Sequence, residues 1–188
     1  MTDTTTDILV AGTSGGVGTT TVTALLFAAM SADPRGAPLL LDHSAGELGL
    51  RLPDGDDVGQ VDSDLALHDL GPHAAAAVPR LADPRTLLIL VVPITPAGCA
   101  AAERVVGPVT GRQLRRVLVA AVGVFGRHRI GPRLQELGNK IGARSVILLP
   151  QDLALAAGGR IPPVRLATHT VRAQRQLTSV LRERLRSL

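Results

Sequence analysis

Residues 14–21 read Ser-Gly-Gly-Val-Gly-Thr-Thr-Thr, the stretch of the chain best suited to chemistry. Glycines at 15, 16 and 18 permit a turn whose successive backbone N–H groups converge on one anion, and a helix starting just after them adds the positive end of its dipole. The group such a turn suits is a phosphate, with Gly15, Gly16, Val17, Gly18, Thr19, Thr20 and Thr21 as the candidate cradle. The stretch lacks charge, since no lysine lies near it in sequence. Two acidic residues, Asp42 and Asp69, each close an apolar run, the usual place of a turn or helix-capping carboxylate. His43 and His68 stand beside them. A His/Asp metal cluster would use these residue types, but no ligand spacing supports a closed site, and packing or surface histidines are the plainer reading.

For the glycines to hold a phosphate they must join a strand to a helix, and the flanking sequence supplies both. "DILVAG" (7–12) reads as a strand and "TTVTALLFAAMS" (20–31) as a closely packed helix. Further continuously apolar runs at 37–42, 64–69, 86–92, 115–123 and 144–150 read as buried parallel strands, alternating with helices at 73–81, 97–107 and 130–141. The expected fold is α/β: one domain over residues 1–188, a doubly wound, mainly parallel sheet with helices on both faces, preceded by a flexible start at 1–6. Its site should lie along the carboxyl edge of the sheet. From 167 to 188, Ala173, Leu177, Val180, Leu181, Leu185 and Leu188 recur at helical spacing with five arginines mostly off that stripe, as expected of a closing helix docked on the sheet. Between residues 53 and 64, "DGDDVGQVDS" is rich in turn formers and forms a short connection.

Composition excludes several classes. The longest apolar run, "TLLILVVPI", is too short to span a bilayer, and the polar, acidic opening "MTDTTTD" is unlike a signal peptide. A single cysteine, Cys99, rules out an internal disulfide and a cysteine-rich zinc site. These features point to the cytoplasm and away from a membrane partner. The net charge of +4 is mild, and of the 20 basic residues only Lys140 is lysine. Without Trp or Tyr, and with only Phe27 and Phe125, the chain has no platforms for stacking single-stranded bases.

The loop "SGGVGTTT" resembles the deviant phosphate loop of the ParA/MinD group of P-loop ATPases, whose pattern is Lys-Gly-Gly-x-Gly-Lys-Thr-Thr. In that register Ser14 stands where the family has its signature lysine, and Thr19 where it has the ordinary phosphate-binding lysine. Thr20 matches the threonine that holds magnesium. "PLLLDHSAGELGLRL" is similar to the segment carrying Asp-x-Asp, with Asp42 matching the first, catalytic-side aspartate and Ser44 replacing the second, which positions the attacking water. "DLALHDLGPH" resembles the Walker B strand, so that Asp69 matches the magnesium-side aspartate and Gly71 the switch glycine. "LLPQDLALAAGGRI" resembles the late loop that lies against the nucleotide base. The adenine-contacting asparagine expected after the fifth strand is missing from "VLVAAVGVFG", and the helical insertion of the relatives near the dimer face is replaced by the short 54–63 connection. The "GGVGTTT" form is similar to loops of the CpaE/TadZ branch, which however keeps the signature lysine and an extra receiver-like domain.

The resemblance implies ATP or ADP with magnesium as cofactors, protein partners and a homodimer, with non-specific DNA as a further partner. The losses weigh against turnover. A charge-assisted bond to phosphate is worth about 1.5–3 kcal/mol, so one missing lysine weakens binding about ten- to hundredfold. A cation placed on the transferring phosphoryl group is worth about 10³–10⁵ in rate. The expectation is a nucleotide-binding scaffold for positioning or partitioning with little or no hydrolysis, in which nucleotide binding itself is open to loss. Two alternatives stand beside it: an active ATPase completed by arginines such as Arg51, Arg127 or Arg160 of a self-partner or another protein, and a DNA-binding accessory using the arginines at 112–116 and 172–186.

Overall fold

The structure, a computed structural model, describes residues 5–32, 36–44, 48–52, 61–123, 131–161 and 165–188, with the backbone alone at 61–63. Six strands, β1 (Thr6–Gly12), β2 (Ala37–Asp42), β3 (Val61–Asp69), β4 (Thr86–Pro93), β5 (Val117–Val122) and β6 (Val146–Leu149), form one sheet. Their order is β2-β3-β1-β4-β5-β6 and every neighbouring pair is parallel. Parallel neighbours need crossovers, and helices supply them on both faces. Along β1, β4 and β5 alternate residues face opposite ways. Ile8, Val10, Ile89, Val91 and Leu118 pack on α1 (Thr19–Ser31) and α6 (Thr168–Leu185). Leu9, Leu88, Leu90, Val119 and Ala121 pack on α2 (Ala74–Ala77), α3 (Pro96–Val106) and α4 (Pro132–Ile141). Burial on both faces is why these strands read as unbroken apolar runs.

Helix α1 follows β1 and has buried residues around most of its circumference, because the sheet, α6 and the residues at 48–52 surround it. Helix α6 docks through Ala173, Leu177 and Leu181, and Gln174 Nε2 donates to Leu25 O at 2.7 Å, tying it to α1. The apolar stripe read in the sequence is therefore a packing stripe, although Leu188 at its end is exposed.

Several boundaries depart from the sequence reading: the strands read at 115–123 and 144–150 and the helix read at 130–141 shorten to Val117–Val122, Val146–Leu149 and Pro132–Ile141, and three larger departures have physical reasons. Strand β1 begins at Thr6, inside the stretch expected to be flexible, because its ladder to β3 starts there, with Thr6 opposite Leu65. Strand β3 starts at Val61, three residues into the expected turn-rich connection, because Ala37 pairs with Val61 before the register shifts between Pro38 and Leu39. Pro38 has no N–H to give the ladder, which favours a break at that point. Strand β2 is an edge strand, so its apolar run is only partly covered and Leu39 remains 45% exposed. The helix expected at 73–81 is also shorter: α2 gives way to a 3₁₀ turn at Val78–Ala82, where Pro79 stands within its first two positions.

Helix α3 shows how closely a connection must fit. Thr95 caps it by accepting from Gly98 N at 3.0 Å, and a Cβ at Gly98 would lie 2.3 Å from Pro93 O. Gly98→Ala should therefore push α3 off the end of β4 and lower the unfolding free energy by about 1–3 kcal/mol. Urea titration would show this as a lower midpoint with an unchanged slope.

Candidate functional site

The chain must turn from the buried end of β1 into α1 within a few residues, and glycine makes the turn possible. A Cβ at Gly12 would lie 2.3 Å from Thr19 Oγ1 and 2.7 Å from Val17 Cγ2, so the loop folds tightly back over the strand end. Gly12 N donates to Gly71 O at 2.8 Å and Thr13 N to Val91 O at 3.0 Å, clamping the loop from the β3 side and the β4 side together. Gly16 and Gly18 take positive φ values of 71° and 89°, where a side chain would be strained. Above Gly15, Gly16 and Gly18 a Cβ would meet nothing within 4 Å. That face of the loop is open.

Helix α1 starts on this loop with Gly18 as its N-cap, no side-chain cap and no acidic residue in its first turn. Its first N–H groups therefore have no competing carboxylate beside them. They face a polar cleft of about 480 Å³ whose walls include residues 14–16 and 18–21 of the loop, with His43, Ser44, Arg51, Gly71 and His73. A second pocket of about 280 Å³ shares Gly16, Gly18 and Thr21 with it and is largely apolar, walled by Leu25, Val122, Leu149 and Leu155. A polar cleft meeting an apolar pocket at a glycine loop matches the two chemical halves of a nucleotide. Gln151 lines the apolar pocket, and its Oε1 is buried without a hydrogen-bond partner. The neighbouring Asp152 caps α5 (Leu153–Ala156), accepting from Ala154 N at 2.9 Å and Ala167 N at 2.8 Å. Burial alone would raise its carboxyl pKa, but these donors and the nearby His169 hold it below the usual range. The Thr170 hydroxyl lies close enough to contribute, yet it falls short of hydrogen-bond geometry, so the backbone donors carry most of the effect.

Of the residues expected in the cradle, Gly15, Gly16, Gly18, Thr19, Thr20 and Thr21 line the cleft. Val17 lines the apolar pocket while packing into the core, and Thr19 is buried with its hydroxyl against Gly12. The acidic residues sit apart from the cleft lining. Asp42 is exposed and accepts from Ser44 N at 2.7 Å and Ser44 Oγ at 2.8 Å, an Asx turn. Asp69 is fully buried, with Oδ1 accepting from Gly71 N at 3.0 Å and Oδ2 lying 3.2 Å from Ser44 Oγ. Ser44 thus stands between the two carboxylates, and Asp69 orients the glycine whose carbonyl holds Gly12. For magnesium the donor set present is the Thr20 hydroxyl in the cleft and Asp69 one residue removed from it. No group of three or more His, Cys, Asp or Glu that could hold a metal occurs among the described residues.

The two histidines form a connection that spacing could not reveal. His43, exposed on the cleft, places Nε2 3.0 Å from Nδ1 of the buried His68, whose Nε2 lies 3.1 Å from Asp7 Oδ1. Arg80 donates to Asp7 Oδ2 at 2.9 Å. The rings are tilted by only 7° with centroids 5.3 Å apart, longer than the N···N distance by about two ring radii, so they meet edge to edge in one plane. The Asp7 carboxylate can only accept, so His68 donates from Nε2 and accepts from His43 through Nδ1. Burial of its ring pushes the His68 imidazole below the ordinary histidine range against the pull of Asp7, and Arg80 and His43 add to the depression. Because the folded state resists this proton while the unfolded chain takes it up at about pH 6.5, the stability is present above that pH and lost below it. Urea midpoints should fall between pH 7.5 and 5.5, and by less in His68→Phe.

No protein-family model and no curated protein sequence matches the chain. Among solved structures it is similar to the crystal structure of a ParA family ATPase from Chlorobium tepidum, with a TM-score of 0.64 and 15% identity over 94% of this chain and 98% of that one. A nucleotide-binding protein from Archaeoglobus fulgidus, solved in complex with ADP, aligns with a TM-score of 0.48 and 16% identity over 92% and 87% of the two chains. Only the first is near enough to compare architectures. The chain has the ParA-like P-loop α/β fold.

Proposed function

We propose that this protein binds ATP or ADP in the cleft at the start of α1 and turns it over slowly if at all, acting through partner proteins as a positioning or partitioning scaffold. One observation carries the reading: a glycine loop in left-handed conformation, clamped between β3 and β4, opens the uncapped N-terminus of α1 onto a polar cleft. Backbone N–H groups and the helix dipole suffice to hold phosphate oxygens there. The adjoining apolar pocket, walled by Leu25, Val122, Leu149 and Leu155, takes the base. Thr20, which lines the cleft, would hold magnesium beside the phosphates, while Asp69 lies behind Ser44 and outside the cleft lining. Bound magnesium would supply charge neutralisation on those oxygens.

Slow turnover follows from the side chains. Ser14 and Thr19 bring no charge, and Ser44, where the resembled family has its water-positioning aspartate, spends its N–H and hydroxyl on Asp42. The stabilisation of a transferring phosphoryl group rests on such charges. A DNA-binding role gains less support. Arg116 is committed to the carbonyls of Leu81, Asp83 and Thr86, and Arg184 to Ser145, so part of each arginine group is structural.

Calorimetric titration with ATP and ADP, with and without magnesium, tests the reading. Heat of binding is expected for both nucleotides, and steady-state phosphate release should stay at background. Gly18→Val forces a side chain into a φ of 89° and should weaken binding at least tenfold. A chain that releases no binding heat with either nucleotide is an empty fold and ends the proposal.

A further inference from the structure

The cleft lacks a lysine, yet it does not lack a permanent charge. We infer that Arg51 of the same chain is the cation that meets the nucleotide's phosphates, taking over from a different element the task that the loop residues at 14 and 19 cannot perform. The inference rests on the nucleotide reading of the cleft and names the residue that makes it selective for charged ligands.

Four observations carry it. Arg51 lines the same cleft as the glycine loop, and among the described residues lining it Arg51 alone carries a fixed positive charge, the others with basic side chains being His43 and His73. No carboxylate of the described residues forms an ion pair with it. Its position is built rather than adventitious. Leu48 beside it is buried in a small core with Ala24, Leu25 and Ile161, against which Leu52 and Leu155 pack. Its own backbone is tied at both ends, Arg51 N donating to Leu48 O at 2.9 Å and Arg51 O accepting from Ile161 N at 3.2 Å. Finally, its guanidinium is oriented: Nη1 donates to Leu155 O at 2.9 Å.

That last bond uses one of five N–H donors and so restrains the planar fork without exhausting it. A guanidinium held this way can offer paired N–H groups to phosphate oxygens, as a flexible lysine cannot. The bond also joins the two halves of the site, because Leu155 walls the apolar pocket. Arg160 does not line the cleft, and Arg127 lies outside the described residues. Lys140 reaches toward the carbonyls of Val106 and Gly107 at the end of α3.

The experiment compares ATP with adenosine, which shares the base and sugar but has no phosphate, by calorimetry on the full chain and on R51Q and R51K. R51Q removes the charge and, its amide ending two bonds short of the arginine Nη1, also gives up the bond to Leu155 O, so adenosine reports what losing that bond does to the pocket; R51K keeps the charge. The expected result is about a ten- to hundredfold loss of ATP affinity in R51Q, recovery of most of it in R51K, and adenosine affinity unchanged in both. The salt dependence of ATP binding should also be shallower in R51Q. Equal losses for ATP and adenosine would mean that Arg51 only holds the pocket together, which overturns the inference. Unchanged ATP affinity in R51Q overturns it as well, while leaving the nucleotide reading intact. If the unmodified chain binds neither ligand, both readings fall together.

Discussion

Residues 12–18 must leave a fully buried strand, reverse, and start a helix in a space that admits no extra atom. A Cβ on Gly12 would collide with Thr19 and Val17, and the N–H groups of Gly12 and Thr13 are spent on carbonyls after β3 and in β4. The main chain is therefore held from both sides at the one point of the sheet where the connections diverge toward opposite edges. The open face above Gly15, Gly16 and Gly18, the uncapped start of α1, and the meeting of polar and apolar cavities are consequences of that constraint. Fixed dipoles need no reorganisation to meet charge, so a backbone loop of this shape suits an anion without help from a lysine.

Shape and charge separate in this chain. In the proposed nucleotide site the backbone of the glycine loop supplies the shape, and charge would come from another element. Charge comes from a segment after β2, through Arg51, whose guanidinium is held by the carbonyl of Leu155 and whose chain neighbours pack over α1. The carboxylates are recessed: Asp69 stabilises the glycine that clamps the loop, and Ser44 bridges it toward Asp42. On the proposed reading such an arrangement suits holding a nucleotide better than cleaving it, because hydrolysis demands charge aligned with the moving phosphoryl group, whereas binding accepts charge anywhere near its oxygens.

A polar thread crosses the apolar sheet beside this site. Arg80, Asp7, His68 and His43 run in sequence from the 3₁₀ turn after α2 to the cleft, each joined to the next by one hydrogen bond. Burying such groups is costly unless every partner is supplied, and here the fixed acceptor at Asp7 sets the direction of each histidine bond. The thread gives the cleft-facing ring of His43 a defined orientation.

Much of the fold was legible because its causes are local. Apolar runs of strand length, glycine placement and helical spacing specify elements through neighbours a few residues away, and a sheet buried on both faces writes itself as continuous hydrophobicity. The loop at 14–21 belonged to that class, and so did its missing lysines. The edge position of β2, the early start of β3 across the break at Pro38, and the exposure of Leu39 did not, since they depend on which strand lies beside which. The same holds for the parts of the site that bring charge. Arg51 meets Leu155 across 104 residues and His68 meets Asp7 across 61, pairings that no periodicity encodes. The sequence by itself determined where a backbone could wrap an anion; only the packing of distant segments around α1 and β1 decided which side chains would stand over it, because a lone arginine or histidine acquires a role from its surroundings and not from its neighbours in the chain.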